Sequence, residues 1–322
     1  MAQYARYVGP NGIEHTGRVQ HGNLQDVPGD PEILDLLHLP EDVRRDLDLR
    51  GGRYQKLPIE DAVFAVPVQP RAMRDFLVFE AHIAGMKKTE GGDGSVPPAW
   101  YEAPRFLFMN PWSVLPTGAE IPMPPFTQRL DFELEVAMIV GDTVRDVPIE
   151  EAAEHIAGFC IFNDWSARDI QGREMSVGLG PSKGKDFANT LGPWLTTPDE
   201  LEQYREGDRY ALEMSVAING EVVGTDNLRN MSWSFEEMLV HASRDAWVGA
   251  GDVLATGTAS QGALSERWAR AGGELVIPPL QVGDVVTMTV EGLGSISNRI
   301  VETASPGYTV PPARRTYGDD RL

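Results

Sequence analysis

A single cysteine, Cys160, is all the thiol this 322-residue chain has. One thiol makes no internal disulfide, no CxxC redox pair and no thiolate zinc cluster. Such sparse usage fits a reducing, cytoplasmic compartment. Long apolar runs are missing as well. The longest, such as Val136–Val140, fall far short of the ~20 residues a membrane-spanning helix needs. The opening stretch MAQYARYVGPNGIEHTG has no apolar signal-peptide core, so no membrane partner is expected. Positive charge is scarce too: 28 Lys+Arg stand against 48 Asp+Glu, a formal net charge of −20. A surface of that sign repels nucleic acid and anionic lipid. There are no repeats and no low-complexity block. The βαβα alternation of a doubly wound parallel sheet is also absent.

The chain has an ordinary globular balance, 42% hydrophobic and 24% charged, enough for a sizeable core. Its length suits one large domain, or a large one with a small one. Residues 1–66 read as short strands and turns with a helical piece at Pro31–Leu37 and a strand at Ala62–Pro67. Pro67 and Pro70 then mark a boundary between this small β-rich domain and a larger one over 67–322. Met73–Met86 (MRDFLVFEAHIAGM) has helical apolar spacing, and KKTEGGDGSVPP after it predicts a mobile surface loop. Strand patterns follow at Leu130–Val140, at Ala211–Asn219 with an Asn219-Gly220 turn, at Gly251–Ala255 and at Asp284–Val290. Helical patterns cover Ile149–Ala157, Trp165–Glu174 and Ser234–Ser243, the last with a Ser234/Glu237 capping box. The fold class is therefore mainly β with scattered helices (α+β).

Four stretches carry candidate chemistry. In LDFELEVAMIVG (Leu130–Gly141) strand alternation puts Asp131, Glu133 and Glu135 on one face. Like charges there repel unless a cation lies between them. A hard-cation site for Mg²⁺, Mn²⁺ or Ca²⁺ answers that, and a solvated strand face is the plain alternative. In FNDWSARDIQGRE (Phe162–Glu174) Asp164, Arg168 and Gln171 share a helical face, either as a routine ion pair or as an acid turned to a metal with two ligand-facing partners. GLGPSKGKDFANTLGPW (Gly178–Trp194) brings Lys183 and Lys185 within a tight glycine-rich backbone. It lacks the GxxxxGK[ST] order of a nucleotide loop. Asp75 and His82, seven apart, fall on one helical face if Met73–Met86 is a helix.

Taken together, and in this order, LDFELE, NDWSARDIQ, GLGPSKGKDF…LGPW and the later GTAS resemble the fumarylacetoacetate hydrolase family from about Asp75 to Arg299. The resemblance implies that family's β-sandwich roll, with a small N-terminal domain, and a homodimer. It implies one divalent cation, Mg²⁺ first and Mn²⁺ or Ca²⁺ next, held by Asp75, Glu133, Glu135 and Asp164. It implies a His82–Glu266 dyad as hydrolytic base. It also implies substrate contacts from Arg168, Gln171, Lys185 and Thr258, the first three also stabilising the reacting oxyanion. The expected activity is hydrolysis of a C–C bond in a small anionic 1,3-dicarbonyl or acylpyruvate-type acid, in the catabolism of aromatic or related compounds. Isomerisation or decarboxylation of 2-hydroxy-diene or 2-oxo diacids on the same site is the near alternative. A non-catalytic Ca²⁺-binding acidic domain is the remote one.

Overall fold

The computed structural model describes residues 2–51, 56–90, 93–305 and 307–314. Two sheets dominate. The larger, twelve-stranded among the described residues, has Leu134–Val140 at its heart, flanked antiparallel by Ile156–Asp164 on one side and Val253–Ala255 on the other. Met73–Phe76 lies parallel beyond Val253–Ala255, and Asn189–Thr196 antiparallel beyond Ile156–Asp164. The N-terminal strand Gln3–Val8 joins the same sheet through Gln3↔Thr196 and Tyr4↔Leu195. A five-stranded sheet runs Glu221–Asn227, Glu213–Ile218, Val285–Val290, Gly294–Val301, Glu120–Pro122.

Alternation along Leu134–Val140 explains how both faces of the large sheet are covered. Leu134, Val136, Met138 and Val140 point into the main core with Met214, Val216, Met288 and Ile296 of the small sheet. Ala137 and Ile139 enter a second apolar cluster with Phe162, Leu191 and Ala255. Every residue of that strand is buried, as a strand apolar on both faces should be. The Asn219-Gly220 turn takes the expected positive φ values of 51° and 85° between Glu213–Ile218 and Glu221–Asn227. The Ser234/Glu237 capping box opens the helix Phe235–Ser243.

Four local expectations are corrected. Met73–Met86 is not one helix: a strand, Met73–Phe76, turns into a helix only at Glu80–Met86. Met73, Phe76, Phe79 and Ile83 are all buried, and their spacing of three and four gives a strand followed by a helix the same apolar period as one helix. Residues 149–157 hold only a 3₁₀ turn, Ala152–His155, before the strand begins at Ile156. The helix expected from Trp165 starts at Arg168, because Ser166–Ala167 pairs with Leu130–Asp131. Asp164 thus ends a strand and does not start that helix. The Leu130–Val140 strand is interrupted at Phe132 and Glu133. Their N–H groups donate to the side chains of Asp131 (2.8 Å) and Asn163 (3.1 Å), which replace ladder partners. Of the expected loop after Met86, Lys87–Glu90 forms a 3₁₀ turn, and residues 91 and 92 lie outside the described residues.

Candidate metal centre and active site

Strand order brings four distant acids to one point. Asp75 sits opposite Ala255, and Ala255 opposite Ala137, so the Asp75 strand lies two positions from the Glu135 strand. Asp164 ends the strand on the other flank, and Glu133 occupies the break just before Leu134. Asp75, Glu133, Glu135 and Asp164 are all buried, and each offers an oxygen within 4.8 Å of the others'. Asp131 does not join them. Its carboxylate accepts the Leu264 and Ser265 N–H groups (2.8 and 2.9 Å) and Arg168 Nε (2.8 Å), tying the helix Leu264–Arg270 to the site.

Two cations reach the cluster. Lys185 Nζ donates to both Glu133 and Asp164. Arg168 Nη1 lies 2.8 Å from the other Glu133 oxygen. Burial alone would raise Glu133, yet Lys185 and Arg168 hold its carboxyl below the usual range. The other three go the opposite way. Burial pushes Asp75 up to about 7 against the pull of Lys185. Burial, then the charges of Asp75 and Glu133, drives Glu135 well above an ordinary glutamate, and burial raises Asp164 despite Lys185. Asp75 Oδ1 and Glu135 Oε1 are buried with no hydrogen-bond partner. Unpartnered buried carboxylate oxygens are costly. A set of hard oxygen donors short of positive charge fits a divalent cation such as Mg²⁺, Mn²⁺ or Ca²⁺.

His82, on the helix Glu80–Met86, and Glu266, in the first turn of Leu264–Arg270, face each other across the site. His82 Nδ1 lies 2.8 Å from Glu266 Oε2. Burial would raise the Glu266 carboxyl, but His82, Arg270 and the Gln261 N–H hold it below its usual value. A cavity of about 250 Å³ connects these groups. Asp75, His82, Glu133, Arg168, Gln171, Lys185 and Thr258 line it, so all but Glu135, Asp164 and Glu266 of the expected site residues reach its wall. Gln171 Oε1 accepts from Arg168 Nη1 at 3.0 Å. The aromatic ring on the wall is that of Phe106.

Two supporting residues escaped the sequence reading. Gly257 (φ 78°) donates its N–H to Glu135 Oε2 (3.2 Å) and leaves no room for a Cβ, which would stand 2.2 Å from Phe76 O. Its place in GTAS, between a strand and a polar turn, was the available signal. Asp131 escaped because alternation put it on the face of Glu133 and Glu135, and only the strand break at Phe132 sends it elsewhere.

The fold thus carries a buried tetracarboxylate of the kind that suits a divalent cation, with a His–Glu pair beside it. Comparison with known proteins agrees. The model of the fumarylacetoacetate (FAA) hydrolase C-terminal domain matches residues 71–301, and the chain belongs to that family. Fumarylacetoacetase of Arabidopsis thaliana is 28% identical over 272 residues, covering 70% of this chain and 63% of its own. The human mitochondrial oxaloacetate tautomerase FAHD2A is 32% identical over 184 residues, covering 56% and 54%. The chain thus spans less than two thirds of the length of these two curated relatives. The solved structure of fumarylacetoacetate hydrolase from psychrophilic Exiguobacterium antarcticum superposes with a TM-score of 0.73 at 25% identity, covering 94% of this chain and all of that one.

Proposed function

We propose that this protein hydrolyses a C–C bond in a small acylpyruvate-type acid, using a divalent cation, Mg²⁺ first, on Asp75, Glu133, Glu135 and Asp164. The observation that carries this reading is the 2.8 Å contact of His82 with Glu266 beside the acidic cluster. When bound, the cation supplies Lewis-acid polarisation and an anchor for two oxygens of a chelating oxo-acid. The chain's own groups do the rest. Glu266 takes the proton-bearing Nδ1 of His82, leaving Nε2 to remove a proton from water. The hydroxide adds to the acyl carbonyl. Arg168, Gln171 and Lys185 donate to the oxygen that gains charge, an effect typically worth about 3–4 kcal/mol for a well-placed donor. The C–C bond then breaks with its electron pair on the pyruvate carbon, which takes back the proton from His82. The cavity, about 250 Å³, falls below the usual ~300–1,000 Å³ of ligand sites and suits a compact acid. Small anionic oxo-acids and a second copy of the chain are the partners this reading takes.

Hydrolysing acetylpyruvate in ¹⁸O-water tests it: label in the released acetate is expected, and turnover without label contradicts hydrolysis. The similarity to a tautomerase favours a second reading, keto–enol exchange of a 2-oxo diacid with no water activated. That reading predicts turnover that survives His82→Ala.

A further inference from the structure

Glu266 divides its two oxygens between two tasks. Oε2 lies 2.8 Å from His82 Nδ1 and accepts from the Gln261 N–H (2.7 Å). Oε1 faces Arg270, one turn on along the same helix, at 2.8 Å from Nε and 2.6 Å from Nη2. Arg270 Nη2 also donates to the Ala81 carbonyl (3.1 Å), on the residue before His82. One guanidinium therefore holds both the carboxylate and the helix that carries the imidazole. The two helices meet at Gly85, where a Cβ would stand 2.6 Å from Glu266 Oε1. Glu266 is fully buried, while Arg270 is 38% exposed.

We propose that Arg270 is a positioning residue that keeps His82 in the tautomer with its proton on Nδ1, acting through Glu266. A buried carboxylate without a cation either takes a proton or turns towards water. Protonated Glu266 could donate to Nδ1 instead of accepting from it. The imidazole proton would then sit on Nε2, and the nitrogen meant to receive a proton from water would be blocked. Acidic surroundings make the cation matter more: Asp226, which accepts the Ser260 N–H at 2.6 Å, adds its charge to that of Glu266. Arg270's planar fork meets one carboxylate oxygen with two nitrogens and still reaches Ala81 O. A lysine brings the charge on a single nitrogen, without that fork.

This inference rests on the hydrolase reading for its kinetic arm and not for its spectroscopic one. The experiment is ¹⁵N–¹H NMR of the imidazole nitrogens in the Mg²⁺-supplemented full chain. It has six histidines, and His82→Gln assigns the signal. The expected wild-type pattern is a protonated Nδ1 and a bare Nε2 at His82. Arg270→Ala and Arg270→Gln should lose it, and Arg270→Lys should keep most of it. On acetylpyruvate, kcat should fall on the order of 10-fold or more for Ala and Gln, within the 10²–10⁴ that a whole general base supplies, with KM changing less than about twofold. If Arg270→Ala does not fold, the Gln and Lys variants carry the comparison. An unchanged His82 pattern in Arg270→Gln overturns the assignment. Loss of the pattern in a protein that never hydrolyses acetylpyruvate leaves Arg270 in its role and removes the hydrolase reading instead.

Discussion

Glu135 makes no ion pair among the described residues, and one of its oxygens has no partner at all. Its charge is the part of the centre that a cation relieves most. Glu135→Gln should weaken Mg²⁺ binding by at least about 100-fold, since outer-shell changes alone cost about 10–100-fold. The same change should raise the melting temperature of the metal-free protein. Calorimetric titration and thermal melts check the two effects, and a metal-free protein destabilised by Glu135→Gln would contradict the repulsion. The pH dependence follows from Asp75. An acid that holds its proton more tightly folded than unfolded stabilises the fold at low pH, and that contribution is lost as pH rises through the folded value. For Asp75 the window runs from the ordinary 3.8 to about 7. Metal-free protein should therefore melt lower at pH 8 than at pH 5.5, and Mg²⁺ should raise the melting temperature more at pH 8. A flat or inverted profile counts against the buried acidic cluster. Glu133 and Glu135 were legible in the sequence because three acids alternate in a strand that must be buried. Arg270 and Asp131 were not. Arg270 with Glu266 reads as an ordinary i,i+4 pair until the fold brings Ala81 and His82 against it, and Asp131 reads as a third member of the acidic face until the strand break turns it to Arg168 and Leu264.

Among the elements, the loop before Asn189–Thr196 matters most to the site, because it delivers Lys185. Glu174, in the helix Arg168–Met175, accepts the N–H groups of Ser182 (2.8 Å), Lys183 (2.6 Å) and Gly184 (3.2 Å). Gly184 packs so closely that a Cβ would lie 2.8 Å from Gln171 N. Gly184→Ala should destabilise by about 1–3 kcal/mol, the usual range for overpacking, and should lower activity, because Gln171 and Lys185 move apart. Ser234→Ala is the matching control. It removes the capping box at the far helix, costs about 1 kcal/mol and should leave kcat unchanged. Denaturant curves and initial rates on the two variants separate the effects. Equal activity loss in both would mean that rates follow stability alone. Where the sequence reading failed at this scale, it failed on buried strands. Met73–Phe76 carries Arg74 and Asp75 on opposite faces, so no period of two shows, and the helical pattern over Ile149–Ala157 runs into the buried start of Ile156–Asp164.

For the whole molecule, charge is the property read directly from composition. A divalent ion, with the side chains of Arg168 and Lys185, would balance the four carboxylates and leave the site itself near neutral inside a chain of net charge −20. An anionic substrate then approaches against a repulsive field. At 0.1 M salt the screening length is about 10 Å. Raising salt from low values should therefore increase kcat/KM for an oxo-acid, and a steady decrease would show that local cations steer the encounter instead. Motif order made the family legible across residues 71–301. Sheet order was not legible. The approach of Asp75 to Glu135 runs through Val253–Ala255, a three-residue strand nearly 180 positions later. Anomalous diffraction from Mn²⁺-soaked crystals addresses the metal centre most directly. One peak enclosed by Asp75, Glu133, Glu135 and Asp164 is the expected result. A peak elsewhere, or none at that cluster, would contradict it.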